Sequence, residues 1–348
     1  VEHMKALVKF SMEDGALEIR NVADPTLQLG NVLISTRAVG VCGSDLHMWR
    51  NSQSWEVKLP LVLGHETAGV ISAVADDVTD WKVGDRVVCE TAAKICGVCA
   101  LCRTGRYNLC PKREGYGAMR DGAFGQLLLA ETRLLHRIPD NVSFEQAAMT
   151  EPFAVAYTAI VERTEIKPGD LVVVQGAGTI GQLSAQMARL RGAGTIVMLG
   201  TTTDSARLAK ARELGVDHTL DTEKDDVETF IGSLGDGLGA HVVVDATGVS
   251  IALKQALEIV RPYGTIVKVG WGPQPLGFSL DPLVAKAVTL VGSFSHTWTT
   301  WEAVLSMFST GGLDAQKVLG GVFSLEDWES AFEAMESGRN IKSVIVFT

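Results

Sequence analysis

The sequence predicts an α/β protein of two domains, on three observations. A chain of 348 residues is longer than one hydrophobic core usually serves. Up to about residue 140, short apolar runs alternate with glycine-marked turns, the pattern of a mostly β domain. From residue 171, β-branched runs alternate with helical periods around a Gly-x-Gly-x-x-Gly turn, the pattern of a parallel α/β sheet.

Taken in order, strands are expected at Ala6–Phe10, Leu17–Arg20 and Asn31–Arg37, then at Ala68–Val74 and after the Lys82–Asp85 turn, where Cys89 reads as a buried strand thiol. Ser143-Phe-Glu-Gln146 has capping-box spacing, and Pro152 suits a first helical turn, which puts Glu151 at a helix N-terminal edge. Leu171–Gln175 is apolar except at its last residue, as a strand buried on both faces requires. A helix at 183–190, a strand at 195–199, a helix at 206–214 and strands at 242–245 and 265–269 continue the alternation. Beyond about residue 293 the alternation stops. Helices are expected at 300–310 and 325–337, the second with Trp328, Ala331, Phe332 and Met335 on one face, and a last strand at 343–347. This tail is expected to return to the first domain, so the domains are assigned as 1–153 with 293–348, and 154–292.

Charge limits the partners. The net charge of −10, with no Lys/Arg-rich run, excludes the basic footprint that nucleic acid or an anionic membrane needs. No apolar stretch reaches spanning length, and no basic-then-apolar leader is present. A cytoplasmic protein is expected, with Met4 as its natural first residue. All six cysteines fall between residues 42 and 110, which argues for local metal sites rather than a disulfide framework.

Three motifs carry chemistry. Cys96-x2-Cys99-x2-Cys102-x7-Cys110 supplies four thiolates that can wrap one tetrahedral ion and leave no open position, as in a structural zinc site; an iron–sulfur cluster also accepts four cysteines. Gly176-Ala-Gly178-Thr179-Ile180-Gly181 follows a buried strand and opens a helix. That context makes it a pyrophosphate turn: Gly176 bends it, Gly178 admits the phosphate, and Gly181 lets helix and strand approach. Where an acidic residue would select NAD, the chain has Gly200, then Thr201, Thr202 and Thr203, with Arg207 nearby. That set leans toward NADP, with Asp204 the residue that would serve an NAD ribose. The third motif is Gly40-Val-Cys42-Gly-Ser44-Asp-Leu-His47. Cys42, His65 and a glutamate, Glu66 or Glu151, would give three metal ligands and one open position, with Ser44 and His47 as proton carriers.

Together with Gly64-His65-Glu66, Gly84-Asp85-Arg86-Val87 and Glu151-Pro152, these motifs resemble the zinc-dependent medium-chain dehydrogenase/reductase family, closest to its sorbitol/polyol and threonine dehydrogenase branches. The resemblance implies a GroES-like β-barrel catalytic domain and a Rossmann domain, a doubly wound parallel sheet, with the active site between them. It implies two zinc ions per subunit, NAD or NADP, and a homo-oligomer, a tetramer or a dimer. It assigns Cys42, His65 and Glu66 to the catalytic zinc, and Glu151 to the same ion directly or through water. Ser44 would take the substrate's hydroxyl proton and His47 would pass it on.

The polyol branch carries Arg-Tyr after a Gly-Ser-Phe, whereas here Ser295 stands at the arginine position, so sorbitol itself is not expected. Trp49, Arg50 and Trp298 are candidate pocket residues. The expected reaction is hydride transfer between the secondary hydroxyl of a polyol, sugar or related alcohol and NAD(P), with a ketone as the reverse substrate. Thr300-Trp301-Glu302 is similar to the threonine dehydrogenase branch, which makes amino-alcohol oxidation the alternative. A non-catalytic NADP(H)-binding zinc protein is the alternative of another class.

Overall fold

The computed structural model describes residues 3–348, so Val1 and Glu2 lie outside it. The chain divides into two compact units. The first holds the residues through Ala154, with His296–Glu336 and Lys342–Thr348; the second holds Val155–Ser295 and Ser337–Ile341.

In the first unit, strands β1 (His3–Lys9), β2 (Leu17–Ala23), β3 (Asn31–Gly40), β4 (Leu61–Val62), β5 (Glu66–Val74), β6 (Arg86–Cys89), β7 (Leu127–Glu131) and β8 (Leu135–Arg137) form two sheets. The smaller has the order β2-β1-β4. In the larger, β3 pairs antiparallel with both β5 and β7, and β5 leads on to β6 and β8. Most of β3 alternates between buried and partly exposed residues, as a strand with one face in the core should. Helices α1 (Gly43–Trp49), α2 (Ala100–Arg103), α3 (Phe144–Ala148) and α4 (Thr150–Tyr157) complete this part of the chain. Ser143 caps α3 in the expected capping box, its hydroxyl accepting from the Gln146 N–H.

The second unit is a six-stranded parallel sheet of β9 (Leu171–Gln175), β10 (Thr195–Gly200), β11 (His218–Asp221), β12 (Ala240–Asp245), β13 (Val260–Lys268) and β14 (Thr289–Gly292). Helices α5 (Thr179–Leu190), α6 (Ser205–Glu213), α7 (Val227–Gly232), α8 (Ser250–Ile259) and α9 (Asp281–Ala285) connect the strands. The order β11-β10-β9-β12-β13-β14 is the doubly wound arrangement, whose direction reverses between β9 and β12. All five residues of β9 are buried, as the apolar run predicted. Ser337–Ile341 groups with this unit because its carbonyls are used there: Asn340 O accepts from Arg207 and Ile341 O from Thr179.

The tail returns to the first unit through α10 (Trp298–Thr310), β15 (Leu319–Ser324), α11 (Trp328–Glu336) and β16 (Lys342–Val346). Strand β16 pairs antiparallel with β3. Ala331, Phe332 and Met335 of α11 are buried in the barrel core, with Trp328 packed against it, as the helical spacing required. Trp49 belongs to the same core, edge-on to Trp328 and Phe332, and Arg50 lies over the Trp49 ring and pairs with Glu336. Both were candidate pocket residues, and both serve packing. Among the described residues, no helix is long and apolar enough to cross a membrane.

Candidate active site

Cys42 is the N-cap of α1, so its side chain leaves the helix from a fixed point. Asp45, three residues on, turns back to accept from the Cys42 N–H at 2.9 Å, which locks the turn. Ser44 and His47 are i,i+3 neighbours and share one face of α1. Ser44 is partly buried and His47 exposed; the His47 Nδ1 lies 3.1 Å from Ser52 Oγ and its ring meets Trp55 edge-on. Desolvation on that shielded side lowers the His47 pKa.

His65 and Glu66 are adjacent, and adjacent side chains on a strand point to opposite faces. The backbone resolves this by bending before β5. Gly64 has φ +91°, and a Cβ there would clash with Phe124, so only glycine fits. As a result, donor atoms of Cys42, His65 and Glu66 lie within 4.8 Å of one another. Glu151 is not one of this trio. It sits in the first turn of α4, and its Oε1 is 3.1 Å from His296 Nε2.

The electrostatics of this cluster are those of a cation site. Burial works to lower the His65 pKa, yet the Cys42 sulfur, Asp45 and Glu151 together hold it well above the usual value. Asp45 Oδ1 lies 3.9 Å from His65 Nδ1, an electrostatic contact longer than a hydrogen bond. Burial pushes Glu66 up to about 7, against the pull of Lys342. Burial also opposes ionisation of Glu151, but the His296 hydrogen bond and the nearby His65 and Lys342 charges together outweigh it and the pKa is lowered. Soft sulfur, imidazole and carboxylate donors brought together, with the protonated forms of His65 and Glu66 both favoured, fit a zinc ion at a site with an open position.

The four-cysteine lobe is equally well formed. Cys96 and Cys102 Sγ are 3.9 Å apart, close to the ~3.8 Å edge of a tetrahedron with zinc–sulfur bonds of about 2.3 Å. Cys110 and Cys96 sulfurs accept the N–H groups of Cys96 and Cys99. Hydrogen bonds from the Val98 and Cys99 N–H groups lower Cys96 to about 6, while burial first and the neighbouring thiols next raise Cys102 to about 12. Cys89 is buried in the barrel core, away from both groups of ligands.

In the second unit, Gly176 has φ +96° and ends β9 beside the point where strand order reverses. Gly178 caps α5 with open space where a Cβ would be, and a Cβ on Gly181 would collide with the Gly176 carbonyl. Thr179 and Ile180 form the first turn of α5, whose N–H groups suit a pyrophosphate. The Thr179 hydroxyl, however, donates to Ile341 O at 2.6 Å. At the end of β10 the nominated phosphate contacts are already engaged. Thr201 Oγ1 donates to Asp204, Thr202 Oγ1 to Asp221 at 2.7 Å, and the Thr202 N–H to Glu223 at 3.0 Å. The Arg207 guanidinium donates to Asn340 O at 2.9 and 3.1 Å.

Three site residues escaped sequence reasoning. Lys342 is fully buried on β16, with Nζ 2.5 Å from the Glu66 carboxylate and 2.7 Å from Val41 O. A lysine inside an apolar terminal strand was the available signal. Asp45 sits at capping-box spacing from Cys42. His296 follows Ser295 in the tail, with no ligand spacing to mark it.

A doubly wound sheet with a dinucleotide turn at its switch point, joined in one chain to a buried zinc-type ligand cluster, defines a metal-dependent nicotinamide oxidoreductase. Family models agree in both parts: the alcohol dehydrogenase GroES-like domain matches residues 28–140, and the zinc-binding dehydrogenase model matches residues 179–310. The sorbitol dehydrogenase of Halalkalibacterium halodurans is 38% identical over 343 residues, covering 98% of this chain and 99% of that protein. Two solved structures superpose with TM-scores of 0.90 over the full length of both chains. One is an alcohol dehydrogenase of Escherichia coli CFT073 complexed with NADH, 26% identical; the other is a zinc-binding dehydrogenase of Sinorhizobium meliloti 1021 bound to NADP, 27% identical. The chain belongs to the zinc-dependent medium-chain dehydrogenase family, and it is an NAD(P)-dependent oxidoreductase.

Proposed function

We propose that the protein interconverts the secondary hydroxyl of a polyol, sugar or related alcohol with the ketone, using NAD(P). The observation that carries this reading is the convergence of Cys42, His65 and Glu66 within 4.8 Å. Similarity to a sorbitol dehydrogenase supports the polyol class. Cys42, His65 and Glu66 would hold the catalytic zinc, with Glu151 beside them, and Cys96, Cys99, Cys102 and Cys110 a structural zinc. The bound groups supply Lewis-acid polarisation of the substrate oxygen and a hydride acceptor.

The remaining work falls to side chains. Ser44 accepts the hydroxyl proton, and His47, on the same face of α1 and exposed, releases it to solvent with Ser52 at its Nδ1. Asp45 holds the Cys42 turn by accepting from its N–H, and Lys342 offsets the charge of Glu66. Gly176, Gly178, Thr179, Ile180 and Gly181 form the pyrophosphate turn. Gly200, Thr201, Thr202 and Arg207 border the adenosine ribose. Sequence alone leans to NADP there. The carboxylates of Asp204, Asp221 and Glu223 around the threonines weigh toward NAD, since they repel a 2′-phosphate. Six unpaired cysteines support the cytoplasmic reading, and the active form is a homo-oligomer, a tetramer by preference.

A spectrophotometric screen of polyols, sugars, sugar acids and amino alcohols, with NAD and NADP, tests the proposal alongside metal analysis. Polyol-dependent reduction with two zinc ions per chain is expected. Turnover confined to amino alcohols would favour the threonine dehydrogenase-like reaction. One zinc and no turnover would favour a non-catalytic binding protein.

A further inference from the structure

Glu151 is held by a chain of hydrogen bonds that reaches back into the tail of the protein. The Trp301 indole N–H lies 2.6 Å from His296 Nδ1, and His296 Nε2 lies 3.1 Å from Glu151 Oε1. An indole nitrogen can only donate. His296 Nδ1 must therefore be the bare, accepting nitrogen, and the single proton of the neutral ring sits on Nε2, aimed at the carboxylate. His296 and Trp301 are almost wholly out of solvent. Trp301 is fixed in turn by His136, stacked on it at 5.5 Å with planes 11° apart, and His136 is bound by Glu90 and Glu302. No freely rotating group stands between this assembly and Glu151.

We propose that His296, clamped in its Nε2–H tautomer by Trp301, is a positioning residue that holds the Glu151 carboxylate at the edge of the Cys42–His65–Glu66 centre. A carboxylate with one oxygen tied to a fixed imidazole cannot rotate freely into the cluster. It keeps one stable orientation beside His65 and Glu66. Partners that orient a group at a metal centre from behind are each worth about 10- to 100-fold in activity or metal affinity. The inference rests on the reading of Cys42, His65 and Glu66 given above.

The test compares His296→Phe, which keeps a ring but removes the donor, with His296→Gln, whose amide N–H can replace the Nε2–H. In the zinc-loaded enzyme, His296→Phe is expected to lower kcat about 10- to 100-fold. Zinc should stay at the parent stoichiometry and the cofactor KM unchanged, and His296→Gln should recover most of the loss. In a Glu151→Ala background, His296→Phe should have almost no further effect. Losses that simply multiply, or a glutamine variant as poor as the phenylalanine one, would overturn the proposal.

Long-range 1H–15N correlation on the 15N-histidine-labelled parent enzyme reads the tautomer directly, independently of how any variant folds. A protonated Nε2 and bare Nδ1 at His296 are expected, and the opposite tautomer would overturn the proposal. If Cys42→Ala stays active, the site reading has failed. If Cys42→Ala is inactive while His296→Phe keeps full kcat, only the positioning role has failed.

Discussion

Gly40 faces Glu66 directly across the antiparallel ladder of β3 and β5, and the Glu66 carboxylate occupies the space that a Cβ on Gly40 would need. The ligand is thus seated by the absence of a side chain on the opposite strand. Gly40→Ala should displace Glu66 and loosen the metal centre without unfolding the barrel. The expected outcome is a loss of at least about 10-fold in zinc affinity or kcat, of the size seen when a ligand loses its support. Chelator competition and steady-state rates measure it, with circular dichroism as the control. Unchanged affinity and rate would show that Glu66 is not held by this fit.

Lys342 and Glu66 form an ion pair in which both side chains are almost wholly buried. Removing one partner of a buried pair strands the other charge and costs about 3–5 kcal/mol. In the metal-free protein, Lys342→Met should therefore lower the denaturation midpoint clearly, and adding Glu66→Gln should recover part of the loss. Equal midpoints for Lys342→Met and the parent would mean that the pair contributes nothing to stability.

The same carboxylate predicts a pH dependence for metal-stripped protein. Burial raises Glu66 to about 7, above the ordinary 4.5, so between those values the folded state binds more protons than the unfolded one. The contribution of Glu66 to stability must then fall as pH rises from 4.5 to 7. Zinc competes with that proton, so its affinity should rise over the same interval. Thermal midpoints of apo protein across this range, compared with those of Glu66→Gln, isolate the effect. A parent–variant difference that is flat with pH would contradict it.

The dinucleotide turn permits no side chain at Gly181, where a Cβ would collide with the Gly176 carbonyl. Gly181→Ala must separate α5 from the end of β9 and move the N–H groups that face the pyrophosphate. Cofactor affinity, followed by quenching of intrinsic fluorescence, is expected to fall at least about 10-fold, or ~1.4 kcal/mol. Zinc content should not change. Parent-like binding would contradict the assignment of this turn.

Most of the fold could be read in advance because its signals are local. An all-buried strand, a glycine turn and a helix stand consecutively at 171–190, and four cysteines stand within fifteen positions. Cys42 and His65 were legible for the same reason, as ligand residue types beside glycines that bend the chain, whereas the choice between Glu66 and Glu151 was not. What stayed hidden depends on segments far apart in sequence. Lys342 meets Glu66 across 276 positions, and His296 meets Glu151 across 145. Arg207 looked available to a phosphate, yet it is engaged by Asn340, 133 residues later. Trp49 and Arg50 looked like pocket residues, but α11 returns from the tail to pack on Trp49 and to pair with Arg50. Local spacing shows which groups can do chemistry, whereas tertiary return decides which of them are already occupied.

Metal content measured alongside turnover in the parent, Cys42→Ala, His65→Ala and Cys99→Ser proteins tests the two metal sites most directly. Two zinc ions per chain are expected in the parent. One zinc and a loss of activity of at least about 1,000-fold are expected for Cys42→Ala and His65→Ala, since the metal's several kcal/mol of charge stabilisation goes with it. For Cys99→Ser, one zinc and a lowered thermal midpoint are expected. Full activity and two zinc ions in either Cys42→Ala or His65→Ala would contradict a catalytic zinc held by these residues.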